Sequence, residues 1–216
     1  MRQSDIFLDG EGDNWFARNQ HAIANGETSE IGTIERALSA HPPGSVLEIG
    51  CSNGSKLAAL CRHFGARGSG VDPSEAAVRE GNARFPGLQL RVGTAANLPF
   101  DADQFDLVYF GFCLYLVDRS EIFRAAAEAD RVLKPGGFLA VLDFDPVLRH
   151  RRAYHHKPGI YSYKTDHARF FLGSGHYSLV AKDSFSHDSS HFTPNSDERV
   201  SMSVLYKETE AYWERS

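Results

Sequence analysis

Glu48, Gly50, Gly54 and Asp72 are the first residues in this chain whose types and spacing suggest chemistry. Glu48 stands among Val46, Leu47 and Ile49, where an ionised carboxylate is costly to bury. The loop Gly50-Cys51-Ser52-Asn53-Gly54 follows, and its glycines let the backbone turn sharply and approach a ligand closely. The spacing is G-x-x-x-G, without the G-x-G-x-x-G that rests a pyrophosphate on a helix N-terminus. The loop therefore suits a nucleoside lacking a diphosphate bridge and disfavours a nicotinamide oxidoreductase. Asp72 closes the next apolar run some twenty residues on. Its two oxygens match the two hydroxyls of a ribose. Pro73 supplies an apolar edge for a purine, and the backbone at Thr94 and Ala95 is placed to meet an adenine rim.

A second chemical signal lies further on, in "RHRRAYHHKPGIYSYKTDHARFFLGSGHY". Residues 147–182 hold seven Lys or Arg against one Asp, a local charge of +6. The chain as a whole carries −5, so the remainder carries −11. Arg149, Arg152 and Lys164 interleaved with Tyr154, Tyr161 and Tyr163 suit a phosphate or carboxylate. His155 and His156 are candidate general bases. Each Arg taken singly also fits a solvated basic face. His155, His156, Asp166 and His167 offer metal-binding residue types, but adjacent histidines chelate one ion poorly, so no metal is expected.

The elements that must position these groups alternate strand and helix. "SVLEIG", a stretch ending at Val71, "LQLRVG", "FDLVYFGF" and "FLAVLDFD" read as strands. "SKLAALCRHFG", "SEAAVREGNARF" and "RSEIFRAAAEADRVLKPGG" read as helices, the last closed by Pro-Gly-Gly. "GDNWFARNQHAIA" and "TSEIGTIERALSA" read as two helices ahead of the first strand. "YSLVAKDSFSH" and "RVSMSVLYKE" read as a closing hairpin. The expectation is an α/β chain with helices on both faces of a mostly parallel sheet. One domain spans 1–216: a helical lid over 1–44, a binding core over 45–145, a substrate insert over 146–176 and a C-terminal hairpin over 177–216.

The stretches "VLEIGCSNG", "GVDPS", "GTAANLPFDADQFDLVYFGFCLYLV" and "RVLKPGGFLAVLDF", in this order and spacing, resemble the class I S-adenosylmethionine-dependent methyltransferases. The similarity covers about Ser45 to Phe144. It implies a Rossmann-like seven-stranded sheet with an antiparallel last strand, and S-adenosyl-L-methionine as cofactor. It places Glu48, Gly50, Cys51 and Gly54 at the methionine moiety, Asp72 and Pro73 at the nucleoside, Thr94 and Ala95 at adenine, and Phe110 along the cofactor. Trp15 and Asn19, in the lid, would cover the methyl or meet the methionine carboxylate. Two positions depart from the family pattern: Thr94 stands where many relatives have Asp, and Ser52 where Gly is common. Relatives often carry His near Cys113 to Tyr115; here Tyr115 is the polar candidate, either orienting a substrate or packing at a helix start. More loosely, the chain resembles small methyltransferases of pseudaminic acid, surface-sugar or secondary-metabolite pathways.

The resemblance implies methylation of a small acceptor, O-directed in preference to N-directed, and the basic, tyrosine-bearing insert makes an anionic acceptor the expectation. A non-catalytic cofactor-fold partner subunit is the alternative. The acidic total charge and the lack of an appended RNA-binding module argue against nucleic acid as partner. No apolar run reaches the roughly 20 residues of a membrane helix. Three unpaired-looking cysteines and a polar start point to a reducing cytoplasm. Homodimerisation is left open.

Overall fold

A computed structural model describes residues 2–24 and 28–209; the outer ends of the expected lid and hairpin, residue 1 and residues 210–216, lie outside it, as do 25–27. Strand β1, Ser45–Ile49, is buried at every position, as a near-continuous apolar run inside a parallel sheet must be. It lies between β2, Arg67–Asp72, and β4, Phe105–Gly111, parallel to both. Outside β2 runs β3, Leu88–Val92. Outside β4 runs β5, Leu133–Phe144. The chain then adds β8, Tyr177–Ser186, and β9, Arg199–Lys207. The sheet order is β3-β2-β1-β4-β5-β9-β8, and β9 runs antiparallel to both neighbours. This is the expected seven-stranded, mostly parallel sheet. Strand order reverses beside β1, and open sheets of this kind bind ligands at the carboxyl ends there.

Alternation along the strands sends side chains to two apolar layers. Leu47, Ile49, Val108 and Phe110 meet α6, Ile122–Val132, whose Ile122, Ala125, Ala129 and Val132 form its buried stripe. Val46, Leu107 and Tyr109 meet Ile34 of α3, Gly32–Ala37, and Leu57 and Leu60 of α4, Ser55–Phe64. Helix α4 starts at Gly54 and stops at Gly65, both left-handed, at φ +72° and +68°. Helix α5, Glu75–Arg84, is capped by the Ser74 hydroxyl, which accepts the Ala77 N–H at 3.0 Å.

The Pro-Gly-Gly expected to close a long helix belongs instead to β5. Helix α6 stops at Val132, and Leu133 already pairs with Phe105. Phe138 pairs with Leu107, so residues 134–137 loop out of the ladder, with Gly136 at φ +74°. The basic insert holds elements that its polar sequence did not suggest. Strands β6, His150–Ala153, and β7, Tyr161–Lys164, form a separate antiparallel ribbon, and α7, Arg169–Leu172, follows.

Ahead of β1, helix α1, Gln3–Ile6, a wide turn over Phe7–Glu11 and helix α2, Gly12–Ala24, lie across the carboxyl ends of the strands. The wide turn needs Gly10 at φ +106°. Gly12 passes so close to Pro73 and Ser74 that a Cβ there would lie 3.0 Å from the Ser74 nitrogen. Among the described residues, no helix is long and apolar enough to cross a membrane.

Candidate active site

The carboxyl ends of β1 to β4 and the N-terminal segment line an open cleft. Gly50 and Ser52 follow β1, Asp72 and Pro73 end β2, and Gly93, Thr94 and Ala95 follow β3. Gly111, Phe112, Cys113, Tyr115, Leu116 and Val117 come from the end of β4 and the short turn after it. Phe7, Gly12 and Trp15 close the other side. The expected residues Trp15, Gly50, Asp72, Pro73, Thr94, Ala95 and Tyr115 thus share one cleft.

Asp72 joins the two loops. One oxygen accepts the Ser52 N–H at 2.8 Å and the other the Ser74 N–H at 2.9 Å. Each oxygen keeps acceptor capacity toward the cleft. Burial pushes the Asp72 carboxyl up to about 6, against the pull of those two N–H donors. The loop after β1 holds three left-handed residues: Gly50 at +77°, Ser52 at +49° and Gly54 at +72°. Ser52 therefore departs from the family pattern in side chain while keeping a backbone that favours glycine. Its hydroxyl is buried without a hydrogen-bond partner.

Glu48 sits behind the wall, not in it. Its Oε1 lies 2.6 Å from where a Cβ on Gly111 would be, so only glycine fits between it and the cleft. Its Oε2 is buried and unpartnered. Burial, only partly offset by the Lys56 ammonium, pushes its carboxyl up to about 8. A buried acid with an orphaned oxygen is a place for a cationic ligand group.

Several expectations need correction. Phe110 is fully buried and packs toward Phe171, with ring centroids 6.2 Å apart, because strand alternation aims it into the α6 layer. Phe112, two residues on and past the strand end, lines the cleft instead. Gly54 faces Leu88 and Leu90 of β3, where a Cβ would come within 3.0 Å of Leu90, so its glycine serves helix entry and packing. The Cys51 side chain turns under Gly70 into the core. Asn19 does not reach the cleft; its amide donates to the Trp15 carbonyl at 2.8 Å.

The basic insert also stays outside the cleft lining. His155 and His156 are exposed at the ribbon tip. Arg149 is exposed, and Arg152 pairs with Asp197 at 2.8 Å. Lys164 is buried, with its ammonium 3.7 Å from the Phe144 ring centroid and donating to the Asp197 carbonyl. Tyr161 carries the Arg151 guanidinium over its ring at 4.4 Å and lies 6.4 Å from Tyr163. The Tyr154 hydroxyl accepts from Arg18, which also pairs with Glu11 at 2.6 Å. These cations are thus largely matched by carboxylates or aromatic faces of the fold itself.

Residue type alone did not reveal how the N-terminal segment is fastened. Asp13 accepts the Ser74 hydroxyl at 2.7 Å and the Ala76 N–H at 3.0 Å. Gln3 is buried and bonds to Leu116 and to both backbone groups of Tyr161. Glu121 takes Ser4 and Arg2. Burial raises the Tyr115 phenol well above the ordinary range.

A family model described as a methyltransferase domain matches residues 46–137. Methyltransferase GfsG of Streptomyces halstedii is 35% identical over 105 residues, covering 45% of this chain and 37% of that protein. A demethylmenaquinone methyltransferase of Staphylococcus epidermidis is 37% identical over 102 residues, covering 45% and 42% respectively. The chain thus spans about two fifths of the length of these curated relatives. Among solved structures, the 1,6-didemethyltoxoflavin-N1-methyltransferase of Burkholderia thailandensis superimposes with a TM-score of 0.73 at 16% identity, covering 94% of this chain and 88% of its own. That likeness establishes the fold.

Proposed function

We propose that this chain, which matches a methyltransferase-domain model over residues 46–137, is a class I S-adenosylmethionine-dependent methyltransferase that transfers the methyl group of S-adenosylmethionine to a small acceptor held in the cleft. When bound, the cofactor supplies an activated sulfonium methyl, so the protein's task is chiefly proximity and alignment. The residues present fit it. Asp72 offers a partly engaged carboxylate to the ribose, and Thr94 and Ala95 flank the adenine. Glu48, with its orphaned oxygen behind Gly111, offers a counter-charge to the methionine ammonium.

One observation carries the reading of the acceptor. Among the described residues none that lines the cleft carries an imidazole, although the His187 ring packs against Phe112 at 5.5 Å, and the two carboxylates lining the cleft, Asp72 and Glu121, are already engaged. Burial also holds the Cys113 thiol protonated. A neutral alcohol would need a general base. A carboxylate or an acidic phenol that arrives ionised needs none, and neither does an unprotonated amine; of these we favour the oxygen acceptors. Tyr115 is the hydroxyl available to orient such an oxygen. His155 and His156, exposed on the ribbon, have no part in the proton chemistry.

The test is a transfer assay with methyl-labelled S-adenosylmethionine against carboxylated, phenolic and phosphorylated small molecules. Label in an alkali-labile ester or a phenyl ether supports the reading. Label confined to N-methyl products sinks the O-directed reading. Cofactor binding with no transfer to any class would favour a non-catalytic partner subunit.

A further inference from the structure

The turn after β4 is more constrained than its sequence requires. Phe112 is a bulky residue at φ +63°, where its Cβ crowds the following carbonyl. Such a conformation lasts only where its surroundings hold it. Here the hold comes from two sides. The Cys113 thiol donates to the Ile49 carbonyl at 3.3 Å, and the Tyr115 N–H donates to Asp143 Oδ2 at 3.0 Å.

Asp143 lies on β5 and is 2% exposed. Its other oxygen accepts the Phe144 N–H at 2.7 Å. His167, from the insert, closes over that oxygen with Nδ1 3.6 Å away and no hydrogen-bond partner of its own. Asp143 does not line the cleft, and nothing in the methyl-transfer reading uses it. What its carboxylate does is fix the far end of the strained turn. The product of that restraint is an aromatic wall. The Phe112 ring lies 5.0 Å from those of Tyr115 and Phe144, and the Lys164 ammonium backs Phe144.

We propose that Asp143 is a positioning residue for the acceptor: it locks the Phe112–Tyr115 turn so that a ring face and a hydroxyl stand preformed for a planar, ring-bearing carboxylate. The ring stacks on Phe112, and the carboxylate accepts from Tyr115. The proposal rests on the methyl-transfer reading above. Asparagine at 143 keeps the shape but offers one acceptor oxygen to two backbone N–H groups, so one bond is lost.

The experiment is a ligand-observed NMR titration of benzoate into protein loaded with S-adenosylhomocysteine. Wild type binds benzoate. Asp143→Asn weakens it at least about fivefold, the scale of one hydrogen bond, while the affinity for S-adenosylhomocysteine stays within about twofold. Unchanged benzoate affinity overturns the proposal, as does a parallel loss of both ligands, or no benzoate binding by loaded wild type. A second measurement needs no variant: the Tyr115 amide should exchange with deuterium as slowly as the amides of central β5, and fast exchange overturns the proposal. Failure of wild type to bind S-adenosylhomocysteine would instead strike the earlier reading, independently of Asp143.

Discussion

Asp72 and Ser52, on different strand-end loops, are joined by a 2.8 Å hydrogen bond from the Ser52 N–H to the Asp72 carboxylate. That bond fixes the loop after β1 against the end of β2, and the same carboxylate faces the cleft. Asp72 therefore shapes the loop after β1 and, under the proposed function, would present acceptor oxygens to a ribose. Its substitution by Asn should weaken S-adenosylhomocysteine by about tenfold or more while the protein stays folded, as calorimetry and circular dichroism can check.

Ionisation of Asp72 gives this site a pH limb. Its folded value is raised to about 6, and the charged form is the one that accepts from two hydroxyls. Affinity for S-adenosylhomocysteine should be level above that pH. It should fall, by at most about tenfold per unit, as pH drops through about 6. The limb should be absent in Asp72→Asn. A flat profile in wild type from pH 5 to 7 would contradict the assignment.

Glu48 should release a proton when the cofactor binds. At pH 7 its carboxyl, raised to about 8, is mostly protonated, and an arriving ammonium favours the charged form. Calorimetry in buffers of differing ionisation enthalpy should report the release, and Glu48→Gln should abolish it. The sign for stability is also fixed. A carboxyl raised from 4.5 to about 8 on folding leaves stability highest below 4.5 and erodes it as pH climbs toward 8. Glu48→Gln should therefore gain on wild type across that window.

Asp13→Ala should loosen the N-terminal segment. It removes the bonds to Ser74 and Ala76, a loss of about 1–3 kcal/mol. Limited proteolysis within residues 3–24 should accelerate. Affinity for S-adenosylhomocysteine should drop severalfold, because Phe7, Gly12 and Trp15 wall the cleft from that segment.

Replacing both His155 and His156 by Ala should leave the transfer rate and its pH profile unchanged. Both imidazoles are exposed at the ribbon tip. Loss of a pH limb near neutrality in that variant would restore a base to the insert.

The strand-and-helix rhythm and the strand-end residues that line the cleft were legible in the sequence because each rests on local pattern. A buried apolar run, paired glycines and an acid at a strand end keep their meaning without tertiary knowledge. Phe110 and Phe112 show where that fails. The two lie on one side of a strand by count, yet the strand ends between them, and only the fold says which ring is core and which is wall. The insert misled for a different reason. Its charge run was visible, but Asp197, which pairs with Arg152 and accepts from Lys164 through its carbonyl, is distant in sequence, so those contacts could not be read. Asp143 gave no signal at all, since a carboxylate that works by holding a backbone N–H has no motif.

The most direct test is a calorimetric titration of the purified chain with S-adenosylhomocysteine, with NAD run in parallel. The prediction is saturable one-site binding of S-adenosylhomocysteine, lost in Asp72→Ala, and no saturable heat with NAD. Absence of S-adenosylhomocysteine binding by folded wild type, or equal binding of NAD, would contradict the assignment of the cleft to a methyl-donor nucleoside.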